Sequence, residues 1–538
     1  MTQDITFMTK TKALIDNLKS VCANYGLGND GNEFKIITQI FLYKFLNDKF
    51  RYAVKQEKPE LNKADNFSKA LRDLKEDDYQ FLIASLDPNI PRLQPEHLIS
   101  HLFVKQNDSD FAKTFDDTLR QISIENAEVF SVKSFTGAKD TLFDELTQFI
   151  SDSSQRDAFA KALVNKLTEF SFEEMFKQKY DFFATIFEYL IKDYNTDSGG
   201  KYAEYYTPHA VARIMAKIMV PEPIKGVKVY DPSAGSGTLL MSIAHEIGEE
   251  SCTIYSEDIS QKSSNMLRLN LVLNNLTHSI PNVIKTNTIA HPSYLETKFD
   301  YIVSNPPFKL DFSDFHAGLD KDAFKKRLFA GIPNIPKSKK ESMAIYLLFI
   351  QHIMYSLSDK GKAAIVLPTG FITAQSGIEK KIRERLITNG WLRGVVSMPS
   401  NIFASTGTNV SVLFIDKEAD SEHIILLDAS KLGETVKEGK NQRTVLTTTE
   451  EQLIIDTFNN KQAVEDLSII VNKEEIVAKN YSFSAGQYFE VKIEYVDITP
   501  QEFASKIKTF EKNLENLFTE SKVLEVEIQN NLKGIKYD

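Results

Sequence analysis

The chain has 538 residues, 42% hydrophobic and 26% charged, with a formal net charge of −10. This is the make-up of a soluble globular protein with room for several domains; no apolar run approaches the roughly 18 residues of a membrane span, and no apolar secretory core opens the chain. Cys22 and Cys252 stand far apart without metal-ligand spacing, so a cytoplasmic protein with no metal site and no membrane partner is expected, and the acidic balance argues against a protein that grips nucleic acid unaided.

Residues 1–195 predict an all-helical amino-terminal domain. "ALIDNLKSVCANYG" and "EFKIITQIFLYKFLNDKFRYAVKQ" repeat apolar residues every three to four positions, and "DTLFDELTQFISD", "RDAFAKALVNKLTEF" and "YDFFATIFEYLIKDY" suggest further helices. The Gly- and Ser-bearing stretch "NTDSGGKYAEYYTP" (195–208) marks a boundary. A second domain, 196–480, alternates short strands with helices. Its strands are "VKVYD" (227–231), "CTIYSED" (252–258), "NVIKT" (282–286), "FDYIVSN" (299–305), "GKAAIVLP" (361–368), "VSVLFID" and "EHIILLD" (422–428). That alternation predicts an α/β, doubly wound, mainly parallel sheet, with ligands beyond the carboxyl ends of the strands. In the tail, 481–538, Phe503, Ile507, Phe510, Leu514, Leu517, Ser521, Leu524, Ile528, Asn531 and Ile535 trace an a/d seam. It reads as a coiled-coil-like arm for a partner, or else as a terminal helix packed on its own domain.

"VYDPSAGSGTLL" (229–240) joins a strand to a helix through Gly235 and Gly237. A P-loop would need a Gly-Lys-Ser/Thr, which is absent. A dinucleotide loop would need a third glycine where Leu240 stands. Asp231 at the strand tip suits an ammonium group better than a phosphate. The next strand ends in Glu257 and Asp258, and an acid there can accept from both ribose hydroxyls. A nucleoside with a charged amino-acid tail and no phosphate answers to both features, and S-adenosylmethionine fits that description.

"NPPF" (305–308) ends a later strand on the same edge. Alone it is a strand followed by a turn. Beside such a cofactor it can serve methyl transfer to an exocyclic amine. The Asn305 side-chain oxygen and the Pro306 carbonyl would accept the amine hydrogens and localise the lone pair. Pro306 and Pro307 stiffen the backbone, and Phe308 offers a face on which a base stacks. A base held in a duplex would first have to be flipped out.

"DPSAGSG" followed by "NPPF", with "GKYAEYYTP" ahead of both, resembles motifs I, IV and X of amino-group DNA methyltransferases of the γ order. With the helical amino-terminal region, nearly the whole chain is similar to the modification (M) subunit of type I restriction–modification systems. The resemblance implies a class I S-adenosylmethionine-dependent methyltransferase sheet that methylates adenine N6 in double-stranded DNA. It implies that Glu204, Tyr205, Tyr206, Thr207, Pro208 and His209 close over the methionine end of the cofactor. Asp231, Ser233, Ala234, Gly235, Ser236 and Gly237 would line the methionine side, and Glu257 would take the ribose. Asn287 stands where the family usually has an acid near the cofactor's adenine. Asn305, Pro306, Pro307 and Phe308 would be the catalytic residues. A separate specificity (S) subunit would read the sequence, two M subunits would join one S, and a restriction (R) subunit would complete the complex.

Lys321, Lys325, Lys326, Arg327, Lys337, Lys339 and Lys340 follow the tetrapeptide in an otherwise acidic chain. They are candidates for DNA-phosphate contacts, or simply a solvated loop. Two rival readings remain at this point. Asn-Pro-Pro methyltransferases also act on RNA or on a protein glutamine, usually with Tyr in place of Phe308. A non-catalytic assembly subunit with a methyltransferase fold would not need Asp231, Gly235, Gly237, Asn305 and Phe308 intact.

Overall fold

The apolar runs of the amino-terminal region fold into α1 (Thr2–Asn24), α2 (Gly31–Glu57), α3 (Phe111–Glu125) and α4 (Arg156–Thr168). The computed structural model describes residues 2–28, 31–64, 66–130, 133–134, 141–173, 176, 207–403, 409–438, 441–489 and 498–533. The predicted helix over "YDFFATIFEYLIKDY" and the boundary at 195–206 lie outside them. Over the described residues of "DTLFDELTQFISD" no α-helix forms, only the single 3-10 turn Thr147–Phe149, because Asp116 takes the Leu146 and Thr147 amides that a helix would use. Helix α2 is buried on more than one face. Even its charged Lys44 and Asp48 are enclosed, paired at 3.0 Å. Asp48 also accepts the Phe172 amide at 2.8 Å, which is how a buried charge stays compatible with the fold.

The strands are β1 (Lys133–Ser134), β2 (Val227–Asp231), β3 (Cys252–Asp258), β4 (Val283–Lys285), β5 (Phe299–Ser304), β6 (Leu357–Pro368), β7 (Leu392–Ser397), β8 (Val410–Asp416), β9 (Ile424–Asp428), β10 (Glu434–Glu438), β11 (Asn441–Val445) and β12 (Ser468–Val471). One ten-stranded sheet has the order β1-β4-β3-β2-β5-β6-β8-β7-β9-β12. Its pairs are parallel, except that β8 runs against β6 and β7, and β12 against β9. Every residue of β8 is buried. Because successive side chains point to opposite faces, both faces of the sheet are covered there. The α/β fold is therefore as the alternation predicts.

Strands β1, β7, β12 and the hairpin β10–β11 are additions to the predicted set. Each is short or interrupted: β1 has two residues, and β7 carries Gly394 in its middle. Strand β1 belongs to the amino-terminal region yet pairs in parallel with β4. One continuous hydrophobic core runs from Leu14 of α1 through the sheet to Phe458. The amino-terminal helices and the sheet accordingly fall in one compact unit, Met1–Tyr488, with a second unit at Phe489–Asp538.

The sheet's helices include α5 (His209–Met219), α6 (Thr238–Ile247), α7 (Gln261–Leu273), α8 (Tyr346–Ser356) and α9 (Thr448–Asn459). The second unit holds α10 (Pro500–Lys533). Its seam residues Phe503, Phe510, Leu514, Leu517, Leu524 and Ile528 are all more than half exposed. A single helix has no interior of its own, so no described residue of the unit buries this stripe. No described helix is long and apolar enough to cross a membrane.

Gly394 shows how tightly the far half of the sheet is closed. A Cβ there would lie 2.3 Å from the Ile425 carbonyl oxygen and 2.8 Å from the Phe458 ring. Gly394→Ala should therefore destabilise the folded chain by about 1–3 kcal/mol, as overpacking does. An unchanged denaturant midpoint would show that α9 does not seat on β7 in this way.

Candidate active site

The glycine loop follows from backbone demands at the end of β2. Gly237 has φ +86 and opens α6, and a Cβ there would sit 2.3 Å from Leu267 Cδ1 of α7. Only glycine satisfies both conditions. The loop folds onto the tip of β3: the Ala234 amide donates to the Glu257 carbonyl at 3.2 Å, and the Gly235 amide to Asp258 Oδ2 at 2.9 Å. Asn270 of α7 donates to the Ser236 carbonyl at 2.7 Å. The result is a closed turn whose backbone is spoken for by protein, with no row of free amides for a phosphate.

Asp231 lies at the base of this turn, 1% exposed. Its Oδ1 accepts from the Ser233 amide at 2.9 Å, and the Ser233 hydroxyl shares a 2.7 Å hydrogen bond with that of Ser304. Burial holds the Asp231 carboxyl up at about 8, with the nearby Asp258 adding to the rise. No cation among the described residues offsets the burial of this carboxyl.

Ser304 immediately precedes Asn305, so the loop and the tetrapeptide are joined by one hydrogen bond. Asn305 Nδ2 donates to Thr207 Oγ1 at 3.2 Å. That contact turns the amide so that Oδ1 faces away from Thr207, with no described residue donating to it. Phe308 is half-buried and meets Tyr346 edge-to-face, with centroids 6.3 Å apart. Tyr346 in turn packs on Phe371 at 6.4 Å. Pro306 is buried and Pro307 exposed. Thr207 and Pro208 are buried directly before α5, and His209 is its first residue. Glu204, Tyr205 and Tyr206 lie outside the described residues.

Glu257 meets the loop through its carbonyl and turns its carboxylate away. Alternation along β3 sends Glu257 and Asp258 to opposite faces, and it is Asp258 that meets Gly235. The Glu257 carboxylate is buried, taking the Tyr230 hydroxyl on Oε2 and the Ser293 amide on Oε1 at 2.5 Å. Burial pushes its pKa up, and those two donors moderate the rise. Arg327, a phosphate candidate by sequence, is placed elsewhere: it is 1% exposed and cannot reach a phosphate. Its guanidinium donates to the Ile289 carbonyl at 2.5 Å and the Thr288 carbonyl at 3.3 Å. Lys321, Lys325, Lys326, Lys337, Lys339 and Lys340 are exposed. Asn287 is half-buried, and its Oδ1 caps the turn after β4 by accepting from the Ile289 and Ala290 amides at 3.2 and 3.1 Å. Sequence spacing does not single out Ser304 or Tyr346, whereas Asp258 stands beside Glu257 at the strand tip.

A sheet of this order with a glycine loop after β2 has the class I methyltransferase fold, and that fold implies S-adenosylmethionine as the methyl source. A family model described as N-6 DNA Methylase matches residues 178–495, more than half of the chain. The type I restriction enzyme MpnII methylase subunit of Mycoplasma pneumoniae is 27% identical over 95% of this chain and 94% of its own length. The MjaIX methylase subunit of Methanocaldococcus jannaschii is 25% identical over 74% of this chain and 71% of its own. The type I restriction–modification methyltransferase subunit of Streptococcus thermophilus superposes with a TM-score of 0.70 at 22% identity, covering 90% of this chain and all of that one. A chain from a structure of type I system assembly and conformational transition does so at 0.51 and 18% identity, over 96% of this chain and 99% of its own. The chain belongs to the N-6 DNA methylase family and is an adenine-specific DNA methyltransferase. Both curated relatives are type I methylase subunits, which upholds that reading over an RNA or protein-glutamine enzyme or a non-catalytic assembly subunit.

The raised Asp231 pKa has a measurable sign. At pH 6 the folded carboxyl is mostly protonated, and a cationic ligand must displace that proton; as pH rises toward about 8 the cost falls. Affinity for S-adenosylmethionine should increase on the order of 10-fold between about pH 6 and about pH 7.5. Asp231→Asn should weaken binding and flatten the profile in calorimetric titrations, and an unaltered pH dependence would remove Asp231 from the ammonium site.

Proposed function

We propose that the chain is the modification subunit of a type I restriction–modification complex, transferring a methyl group to adenine N6 within a DNA sequence read by a separate specificity subunit. The observation that carries this is the contact Asp231–Ser233–Ser304, which seats the ammonium-type site directly against Asn305. S-adenosylmethionine supplies, when bound, a methyl group on a sulfonium, so no strong general base is needed. Asp231 binds the ammonium, and the loop from Ser233 to Gly237 lines the methionine side. Thr207, Pro208 and His209 close that end, with Glu204, Tyr205 and Tyr206 as further candidates. An acid at the tip of β3 takes the ribose: Glu257 by the resemblance, with Asp258 the carboxylate nearer the loop. Asn287 lies toward the adenine of the cofactor.

Asn305 accepts one amine hydrogen of the target base on Oδ1, held in that orientation by Thr207. The Pro306 carbonyl accepts the other, Pro307 stiffens the turn, and Phe308 stacks on the base. The stacking contributes about 1–3 kcal/mol, and Tyr346 keeps the Phe308 ring upright. The two acceptors draw the amine lone pair out of conjugation and toward the methyl group, so orientation and electrostatics carry the step. The exposed Lys325, Lys326, Lys337, Lys339 and Lys340 contact phosphates beside the flipped base. The open seam of α10 is the docking arm for the specificity subunit. Two M chains join one such subunit, and a restriction subunit completes the complex, in the cytoplasm of a bacterium or archaeon. The relatives' names and the assembly structure support this division of labour.

Asn305→Ala should lower methyl transfer by on the order of 10²- to 10³-fold while S-adenosylmethionine binding stays within about 2-fold of the parent, because Asn305 meets the base and not the cofactor. Methylated-adenine sequencing of cells carrying the chain with its neighbouring genes reads both the loss and the target sequence. Methylation at the parental rate would reject the catalytic assignment. Deleting 500–538 should abolish co-purification of the specificity subunit and leave the melting temperature of the remaining chain unchanged. A truncated chain that still brings the subunit down would move the docking site elsewhere.

A further inference from the structure

The lysine-bearing segment after the tetrapeptide is attached to the cofactor loop by a short chain of buried hydrogen bonds. Thr288, which follows β4, donates from Oγ1 to the carbonyl of Pro232 in the glycine loop at 2.7 Å. The carbonyls of Thr288 and Ile289 in turn accept from Arg327, at 3.3 and 2.5 Å, and Arg327 sits between Lys326 and Lys337. Ile289 is fully buried in a separate small core with Phe312, Leu319, Leu328, Met343 and Leu348. Among the described residues it is the one member of that core that precedes the tetrapeptide. The segment is therefore built on Thr288–Ile289, and those residues are built on the loop.

The guanidinium is held from its other side as well. Arg327 Nη1 lies 3.3 Å from His352 Nδ1, and an arginine can only donate, so Nδ1 accepts and the imidazole proton is on Nε2. That Nε2 lies 3.0 Å from the Tyr230 hydroxyl, which donates onward to Glu257. Arg327 and Glu257 thus bracket a neutral His–Tyr pair beneath β2 and β3. A residue fixed this firmly moves the lysines only when Thr288 and Ile289 move.

We infer that Thr288 and Arg327 are positioning residues that make cofactor binding and duplex binding cooperative, by transmitting the state of the Pro232 turn to the lysine-bearing segment. This rests on the reading of those lysines as phosphate contacts. Coupling of this kind is reciprocal: each ligand tightens the other by the same factor. The buried link asks nothing of the reacting atoms, so Thr288 and Arg327 touch neither methyl group nor base.

Thr288→Val keeps the shape of the side chain and removes the donor to Pro232; Thr288→Ser keeps the donor. The full chain, purified with its specificity subunit, is followed by amide hydrogen exchange with and without S-adenosylhomocysteine. In the parent the ligand should slow exchange both in the loop 231–237 and in 321–342. In Thr288→Val it should slow the loop only, and Thr288→Ser should restore both. In parallel, S-adenosylhomocysteine should tighten binding of a duplex carrying the methylated sequence by on the order of 10-fold in the parent and leave it unchanged in Thr288→Val. Ligand-dependent protection of 321–342 that survives in Thr288→Val would overturn the link. A Lys337→Ala, Lys339→Ala, Lys340→Ala chain that binds duplex like the parent would remove the phosphate-contact reading alone, and the exchange comparison would still decide the Thr288–Arg327 link.

Discussion

The pairing of β2 with β5 as parallel neighbours is the constraint from which the active site follows. Val229 opposes Tyr301 and Tyr230 opposes Ile302, so both strands end at the same level, roughly 5 Å apart across the ladder. Asp231 tips one strand and Ser304 the other. The Ser233–Ser304 hydrogen bond then needs no special arrangement; it is what two short polar side chains do at adjacent strand ends. Residues far apart in the chain become one site because a parallel sheet brings every carboxyl end to one edge.

Around that edge the structure separates charge by burial. Asp231 is enclosed, while Asp258 accepts from the Gly235 and Ser260 amides. Glu257 and Arg327 are enclosed too, on the far side of the same strands, with His352 between them kept neutral by burial and by the adjacent guanidinium. In a chain of net charge −10, the segment after Phe308 gathers the exposed Lys321, Lys325, Lys326, Lys337, Lys339 and Lys340.

The amino-terminal helices are part of the same body as the sheet. Strand β1 lengthens the sheet at β4, and Arg268 of α7 donates to the Thr141 carbonyl at 3.1 Å. Lys49 of α2 reaches Asn275 just beyond α7, at 2.8 Å. The helix that supports the glycine loop through Leu267 and Asn270 is thus also the surface on which the helical region docks. A substitution in that interface would reach the cofactor loop through one helix.

The sequence by itself determined whatever depends on contiguous residue types. Helical and strand periods, the loop "DPSAGSG", the rigid "NPPF" turn and the α10 seam all follow from local spacing, and the structure carries each of them. The weak strands β1, β7 and β12 escaped because their pairing, not their composition, makes them strands. Only the tertiary structure decided which face each residue of a pair addresses. Glu257 and Asp258 are equal candidates on paper, and the phase of the β3 pleat assigns the loop to Asp258. Arg327 reads as one more cation in a basic run, and long-range packing against Thr288, Ile289 and His352 takes it inside. Thr207, Ser304 and Tyr346 gain their roles from partners that chain spacing cannot specify, because strand order and the packing of α8 are set by the burial of the whole sheet.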